Sequence, residues 1–428
     1  MLSHFINILN IPYKFSIDLM WNCGSFVVMG ICGIAINIII AKTYGLEILG
    51  VFNQVYAIYI LISQFSTGGV QFSVLKNIAI YSGNKKVSSM ILVSGLLLAI
   101  IYPIPFIIII FFLKECVGEL LKSKGVSVGI LYILPGIFFF SINKIFLAFH
   151  NGRRRMKSFA IFQSIRYLGI LAALLFFAII SFDGYKISMA FTISEIILFA
   201  LISLYSIRYL KIHFSKEILK WLRIHFYFGI KGILGNVYAE LNTRADVIML
   251  GFFCSDRSVG IYSFAAMLAE GFGQIATIVQ VNLNPIISKT YFTSGAEALE
   301  EVIEKGKKKF HLLFIILGIL IIIMYPLFLY ILGLNVEYME SWTIFIILAF
   351  GLMLSGGYLP LRSIFTQTGF PGYQTIFLLL ILIINILLNL ILIPYYGVFG
   401  AATATSLSVV SQIFFLKKYT RKCIGINI

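Results

Sequence analysis

The sequence predicts an all-α polytopic membrane protein, with about twelve transmembrane helices in two six-helix halves. Three observations carry that fold class. The chain of 428 residues is 60% hydrophobic and 12% charged, with a mean hydropathy of +0.99. A soluble domain has about 25% charged residues; so few charges cannot cover so many apolar side chains, and bilayer lipid must be the solvent for most of the surface. Second, the apolar runs have helix length rather than barrel-strand length, as in FVVMGICGIAINIIIA (26–41) and FIILAFGLMLSGGYL (345–359). With no water to satisfy the backbone, such runs build a helical bundle. Third, the chain carries an internal repeat, taken up below.

Taken in order, residues 1–18 form an N-terminal interfacial segment. It lacks a basic n-region and a small-residue cleavage site, so no cleaved signal peptide is read, and 5–11 is expected as a short amphipathic helix at the membrane surface. An N-terminal six-helix bundle follows over 19–207, with spans at 19–41, 49–72, 88–113, 127–149, 158–181 and 187–207. Residues 208–225 are read as a cytoplasmic linker. The C-terminal six-helix bundle covers 226–416, with spans at 226–253, 259–284, 310–333, 342–364, 374–395 and 398–416, the last two joined by the tight turn PYYGVFG. Residues 417–428 are a cytoplasmic tail. Pro and Gly inside several spans are tolerated where neighbouring helices satisfy the freed backbone. The charged segment GAEALEEVIEKGKKKF (295–310) is expected as a helix on the inner surface.

Charge sets the orientation. With the N-terminus inside, about three quarters of the 33 Lys and Arg fall in inner loops and tails, which places both termini in the cytoplasm and makes the number of spans even. The net charge of +16 is therefore the positive-inside signature and not a nucleic-acid surface, because the basic residues sit in short loops between apolar runs. The run NGRRRMKS (151–158) is read as an orientation anchor. The five cysteines contain no CxxC pair, which argues against a disulfide framework or a metal site. No GxxxxGK[ST] motif is present, so the chain has no ATPase of its own.

Shifting the chain by 210 residues aligns TYGLEILGVFN (43–53) with FCSDRSVGIYS (253–263): Leu49 meets Val259, Gly50 meets Gly260, Val51 meets Ile261 and Phe52 meets Tyr262. Both stretches fall in the outer turn after the first span of a half. Each half begins inside, so the repeats are parallel and related by a pseudo-two-fold axis along the membrane normal, which suits alternating access around a central cavity. The stretch RADVIMLGFFCSDRSVGIYSFAAMLAEGFGQI (244–275) resembles the seventh-to-eighth span region of bacterial polysaccharide-biosynthesis flippases, the lipid-linked O-antigen translocases of the multidrug/oligosaccharidyl-lipid/polysaccharide superfamily. YGLEILGVFNQVYAIYILISQFSTGG (44–69) looks like the matching first-half segment. The resemblance covers essentially the whole chain in length and span count and implies a MATE-like fold. It implies a location in the bacterial inner membrane. It also implies a substrate, an undecaprenyl-pyrophosphate-linked oligosaccharide moved from the inner to the outer leaflet, with a polysaccharide polymerase and chain-length proteins as partners in the same membrane.

Within the expected spans the informative residues are ionisable. The seventh span carries Glu240, Arg244 and Asp246, whereas its repeat partner, the first span, has no charge between Leu19 and Ala41. Glu240 and Arg244 stand four apart on one helix face and are expected to pair; Asp246 points elsewhere. Folding the eighth span back across the turn at Ser255 brings Glu270 level with Leu241, so Glu240, Arg244 and Glu270 are expected to share a plane near mid-membrane. Charges at that depth cost about 2.5–3.5 kcal/mol each on insertion scales, so they face a wet cavity or pair with one another. Two readings stay open, a substrate or coupling path and an ion pair that pins spans seven and eight together. Arg166, about 12 Å into its span, is expected to face the cavity; Lys231 lies nearer a cytoplasmic end and snorkels by default. Glu195 and Asp18 are further candidates.

Three classes compete on this reading: a glycan flippase, a cation-coupled multidrug exporter of the same architecture, and a polytopic polymerase or glycosyltransferase. The third expects a large outer loop or an acidic catalytic motif in one, and the sequence has neither. A pyrophosphate–sugar headgroup wants cations and hydrogen-bonding groups; Arg166, Arg244 and Lys231 lean that way, with Glu240 and Glu270 available to carry a coupling proton. The expectation is a flippase, not an enzyme, that needs no bound cofactor and draws on a proton or sodium gradient.

Overall fold

The computed structural model describes residues 13–209, 216–334 and 338–428, without the side chains of 13–16, 19, 208, 216, 231–236, 239 and 285. The expected interfacial helix at 5–11 therefore lies outside the described residues. The chain runs through α1 (Tyr13–Thr67), α2 (Val70–Ile80), α3 (Lys85–Ile101), α4 (Pro103–Leu120), α5 (Lys124–Gly152), α6 (Met156–Ile179), α7 (Met189–Ser206), α8 (Lys216–Phe253), α9 (Asp256–Ile331), α10 (Met339–Ser355), α11 (Ile364–Gln367) and α12 (Pro371–Cys423). The twelve expected spans fall largely on helix, but the tenth, expected over 342–364, leaves the helix after Ser355.

Helix starts follow from local chemistry. The Asn84 side chain accepts from the Lys86 and Val87 amides at the head of α3, Ser123 from Val126 at α5, and Ser255 from Ser258 at α9. Pro103, with no amide to lose, opens α4. Three long helices are each broken at a glycine outside helical geometry: α1 at Gly45 (φ 84°), α9 at Gly295 (φ 87°) and α12 at Gly397 (φ 53°). Fifty-five residues of unbroken helix would run about 82 Å, far beyond one bilayer crossing; the left-handed glycine divides that length into two spans.

Eight helical stretches among the described residues are long and apolar enough to cross a membrane, which makes this a multi-pass membrane protein. Large apolar side chains stand exposed along them, including Ile179, Leu204, Tyr330 and Phe414. In water such a surface would aggregate; in lipid it is the outer wall.

The chain forms two compact units. One comprises Met1–Thr43 and Val55–Val237, the other Tyr44–Gln54 and Tyr238–Ile428. In the first unit, Val74, Ile78, Ile91, Ile145, Phe149 and Ile202 build a buried apolar core from four helices. Each buried histidine meets a serine hydroxyl through one ring nitrogen: His150 Nε2 meets Ser206 Oγ at 2.8 Å, and His225 Nδ1 meets Ser73 Oγ at 2.8 Å. The second unit has one core around Phe272, Phe314 and Met353 and another around Ile364, Phe365, Phe377 and Leu416.

Two findings refine the sequence expectations. The charged segment 295–310 is helical, but it is the first turns of the helix that continues from Gly295 to Ile331. The reason is an apolar pair four residues apart: Leu299 and Ile303 are buried in the same core as Leu361 and Leu416. The stretch expected as a linker is likewise helical from Lys216 onward, as the start of α8.

The repeat read from sequence reappears as a contact inside the second unit. A Cβ on Gly50 would lie 1.8 Å from the carbonyl oxygen of Asp256, and one on Gly260 would lie 2.0 Å from the carbonyl oxygen of Leu46. Leu46 and Asp256 are separated by the same offset as Gly50 and Gly260, so the contact is two-fold symmetric in residue number. Only glycine lets the two backbones approach this closely. Gln54 adds a hydrogen bond from Nε2 to Asp256 Oδ1 at 2.6 Å.

Candidate functional site

The second unit contains a cavity of about 300 Å³. Its longest wall is one face of α9. Tyr262, Ala266, Glu270, Gly273, Thr277 and Gln280 recur every three or four residues and line it together. From Tyr262 to Gln280 that face runs about 27 Å, close to the thickness of the hydrocarbon core. Small residues on α9 leave the space, and polar ones give it hydrogen-bonding character. Asn242 and Asp246 of α8, one helical turn apart, line the cavity from one side; Asn385 and Thr405 of α12 line it from another. Leu348 and Leu352 of α10 supply apolar wall. A polar interior within helices this apolar is the usual mark of a solute path in a membrane protein.

The charges divide by environment. Asp246 accepts a hydrogen bond from the Tyr262 hydroxyl, and that hydroxyl stands 3.4 Å from Thr405 Oγ1, so three helical segments meet at one carboxylate. Glu270 faces Arg244, with Nη1 to Oε1 at 3.4 Å. The expectation that Arg244 and Glu270 share a level is thus met; the carboxylate set against the guanidinium is Glu270 of α9, reached across the helix pair. Glu240 is partly buried on α8, one turn before Arg244. The Lys231 side chain lies outside the described residues.

Arg166 belongs to a different arrangement, inside the first unit. Its Nε meets Glu195 Oε1 at 2.5 Å and its Nη2 meets Oε2 at 3.3 Å. The Tyr59 hydroxyl donates to Glu195 Oε1 at 3.0 Å, Asn143 Nδ2 donates to Oε2 at 2.8 Å, and the guanidinium stacks 4.6 Å above the Phe140 ring. Glu195 is 1% exposed, whereas Glu270 is 45% exposed. That contrast decides the chemistry of the two pairs. A buried pair whose carboxylate other side chains also hold is fixed by its surroundings. A long pair with one open carboxylate is worth about 0–1 kcal/mol and can exchange partners. Asp18 meets Arg154 at 3.6 Å, also in the first unit.

Sequence reasoning passed over Arg362, Asn385 and Thr405, among other cavity residues. Arg362 falls near the end of the tenth expected span and lines the cavity. The signal was present: it sits among Leu359, Pro360, Leu361, Ile364 and Phe365, all buried or nearly so, which is no place for a loop anchor. Asn385 and Thr405 are uncharged, and a charge-based search passes over them.

The fold that holds this cavity is that of the multidrug/oligosaccharidyl-lipid/polysaccharide transporters. It superposes with a TM-score of 0.77 on an inward-facing multidrug resistance MATE family transporter of that superfamily, at 14% identity over 93% of this chain and 94% of the other. Against the lipid II flippase MurJ in an inward closed conformation the TM-score is 0.73, at 18% identity over 94% and 87% of the two chains. A superfamily transporter from Pyrococcus furiosus, described by a binding pocket of reverse polarity, gives 0.63 at 16% identity over 96% and 95%. In sequence, the capsular polysaccharide biosynthesis protein CapF of Staphylococcus aureus is 30% identical over 279 residues, which are 60% of this chain and 68% of that protein. The profile of the family described as polysaccharide biosynthesis protein matches residues 19–292, and the chain belongs to that family.

Proposed function

We propose that the protein is a flippase that carries a polyprenyl-pyrophosphate-linked glycan, an O-antigen unit or similar surface-polysaccharide unit, from the cytoplasmic to the outer leaflet of the bacterial inner membrane. The observation that carries the reading is the polar cavity of the second unit, in a chain of a polysaccharide-biosynthesis family. Its amides and hydroxyls suit sugar hydroxyls, and the Arg362 guanidinium suits phosphate oxygens. The polyprenyl tail needs no site, because it stays in lipid while the headgroup crosses.

Transport proceeds by alternating access and draws on a proton or sodium gradient. Asp246 and Glu270 are the coupling carboxylates. Asp246 is placed for this by its contacts with Tyr262 and, through that hydroxyl, Thr405: binding or release of a cation at the carboxylate rearranges the packing of α8, α9 and α12 together. The chain acts as a transporter, not as an enzyme.

The test is deletion of the gene, with analysis of surface glycan and of lipid-linked intermediates in each leaflet. Loss of the long glycan, with intermediates held in the inner leaflet and no change in drug sensitivity, is the expected result. Unchanged glycan together with new sensitivity to cationic dyes would overturn the reading in favour of a cation-coupled multidrug exporter.

A further inference from the structure

We propose that Arg362 is the phosphate anchor of the cavity, so that the substrate lies with its pyrophosphate at the Arg362 end and its sugars toward Asp246. The proposal rests on the flippase reading for the identity of the substrate; the residue itself is singled out by geometry. The turn that carries Arg362 is held from several sides. Ser363 Oγ donates to Asn284 Oδ1 at 2.7 Å, Gln374 Nε2 donates to the Arg362 carbonyl at 2.8 Å, and the Gly357 amide donates to His311 Nδ1 at 3.0 Å. Leu359, Leu361, Ile364 and Phe365 are buried around it. A backbone fixed this way sets Arg362 in the lining of the cavity.

Among the described residues the Arg362 guanidinium makes no ion pair, whereas Arg166 and Arg244 each face a carboxylate. Two of the four carboxylates of the neighbouring stretch of α9 are engaged elsewhere: Glu301 pairs with Lys305 at 2.5 Å, and Glu300 accepts from the Asn427 amide at 3.1 Å. Two further cations flank the same turn. Lys307 and Lys417 lie 5.0 Å and 5.4 Å from the centre of the Tyr358 ring.

Charge is therefore separated along the cavity. The Arg362 turn is level with Asn284 on α9, and Asp246 is level with Tyr262. Glu270 is fourteen residues from Asn284, or about 21 Å along the helix. Gln274, Thr277 and Gln280 lie between, all neutral hydrogen-bonding groups. A dianionic phosphate group placed at the Asp246 end would meet carboxylates; at the Arg362 end it meets a planar fork of donors suited to phosphate oxygens. Lys307 and Lys417 contribute attraction from a distance rather than contact.

The experiment measures binding of inorganic pyrophosphate and of a polyprenyl pyrophosphate to the purified full chain in phosphatidylcholine nanodiscs. Wild type, R362Q, R362K and the double variant K307Q/K417Q are compared, with thermal unfolding as the check of folding. R362Q is expected to weaken both ligands at least tenfold, R362K by less, and K307Q/K417Q to flatten the salt dependence. Wild-type affinity in folded R362Q overturns the proposal; if R362Q does not fold, wild-type affinity in R362K and unchanged salt dependence in K307Q/K417Q overturn it instead. A parallel arm adds phosphatidylglycerol: if that headgroup alone shows the Arg362 dependence, the residue binds bulk lipid and the proposal falls. Arg362-dependent pyrophosphate binding in a chain whose deletion spares the surface glycan would keep the site and remove the glycan reading. Intact binding by R362Q alongside glycan export would remove the site alone.

Discussion

Arg166 and Arg244 are both arginines inside expected spans, yet their surroundings predict opposite mutational behaviour. Arg166 is bonded to Glu195, which Tyr59 and Asn143 also hold. Arg166→Ala leaves a buried carboxylate without its counter-charge and is expected to cost about 3–5 kcal/mol. The double change Arg166→Ala with Glu195→Gln should recover most of the loss; thermal unfolding of the detergent-purified variants measures both. Arg244 faces the open Glu270 at 3.4 Å, a contact worth far less. Arg244→Ala is therefore expected to reach the membrane at normal level but to lower glycan export. Arg244→Lys should rescue in part, since an ammonium lacks the planar fork. Full export by Arg244→Ala with Glu270→Ala would take this pair out of the transport path.

At the scale of elements, the crossing of the two repeat-related segments depends on having no side chain at Gly50 and Gly260. A Cβ at either position would sit 2.0 Å or less from a backbone carbonyl oxygen, and backbone cannot move aside as a side chain tip does. Gly50→Val is expected to cost at least about 1–3 kcal/mol and to lower membrane abundance. Gly24→Ala, with nothing within 4 Å of the added Cβ, should leave abundance unchanged. Equal abundance for the two variants would show that the crossing is not needed for folding. The bends at Gly45 and Gly295 are a different kind of requirement, in which backbone sign rather than space excludes a side chain.

For the whole molecule, the asymmetry of lysine and arginine predicts that both termini share the cytoplasmic side and that the α8–α9 turn, with Asp256, faces outward. In a cysteine-free background, a single cysteine placed at 256 should label from the outer side only, and one at 425 from the inner side only. Labelling of position 256 from the cytoplasm alone would reverse the orientation, and with it the direction of transport proposed here.

Much of this architecture is legible without coordinates, because in a bilayer each span must satisfy its own backbone and present apolar side chains to lipid. Length, hydropathy and loop charge therefore determine the spans, and the LGVF/VGIY match, read at Gly50 and Gly260, marks the repeat before any contact is seen. The level of Arg244 with Glu270 was also open to counting, since residues equally far from a tight turn meet on antiparallel helices. Tertiary structure alone decided which charges are sealed and which are open. Arg166 is sealed because Glu195, itself held by Tyr59 and Asn143, meets it from another helix. Arg362 lines the cavity because its turn is folded inward by the burial of Leu361 and Phe365. Pairing across helices depends on the rotation of each helix about its axis, and that rotation is set by the packing of many apolar side chains at once rather than by any local pattern.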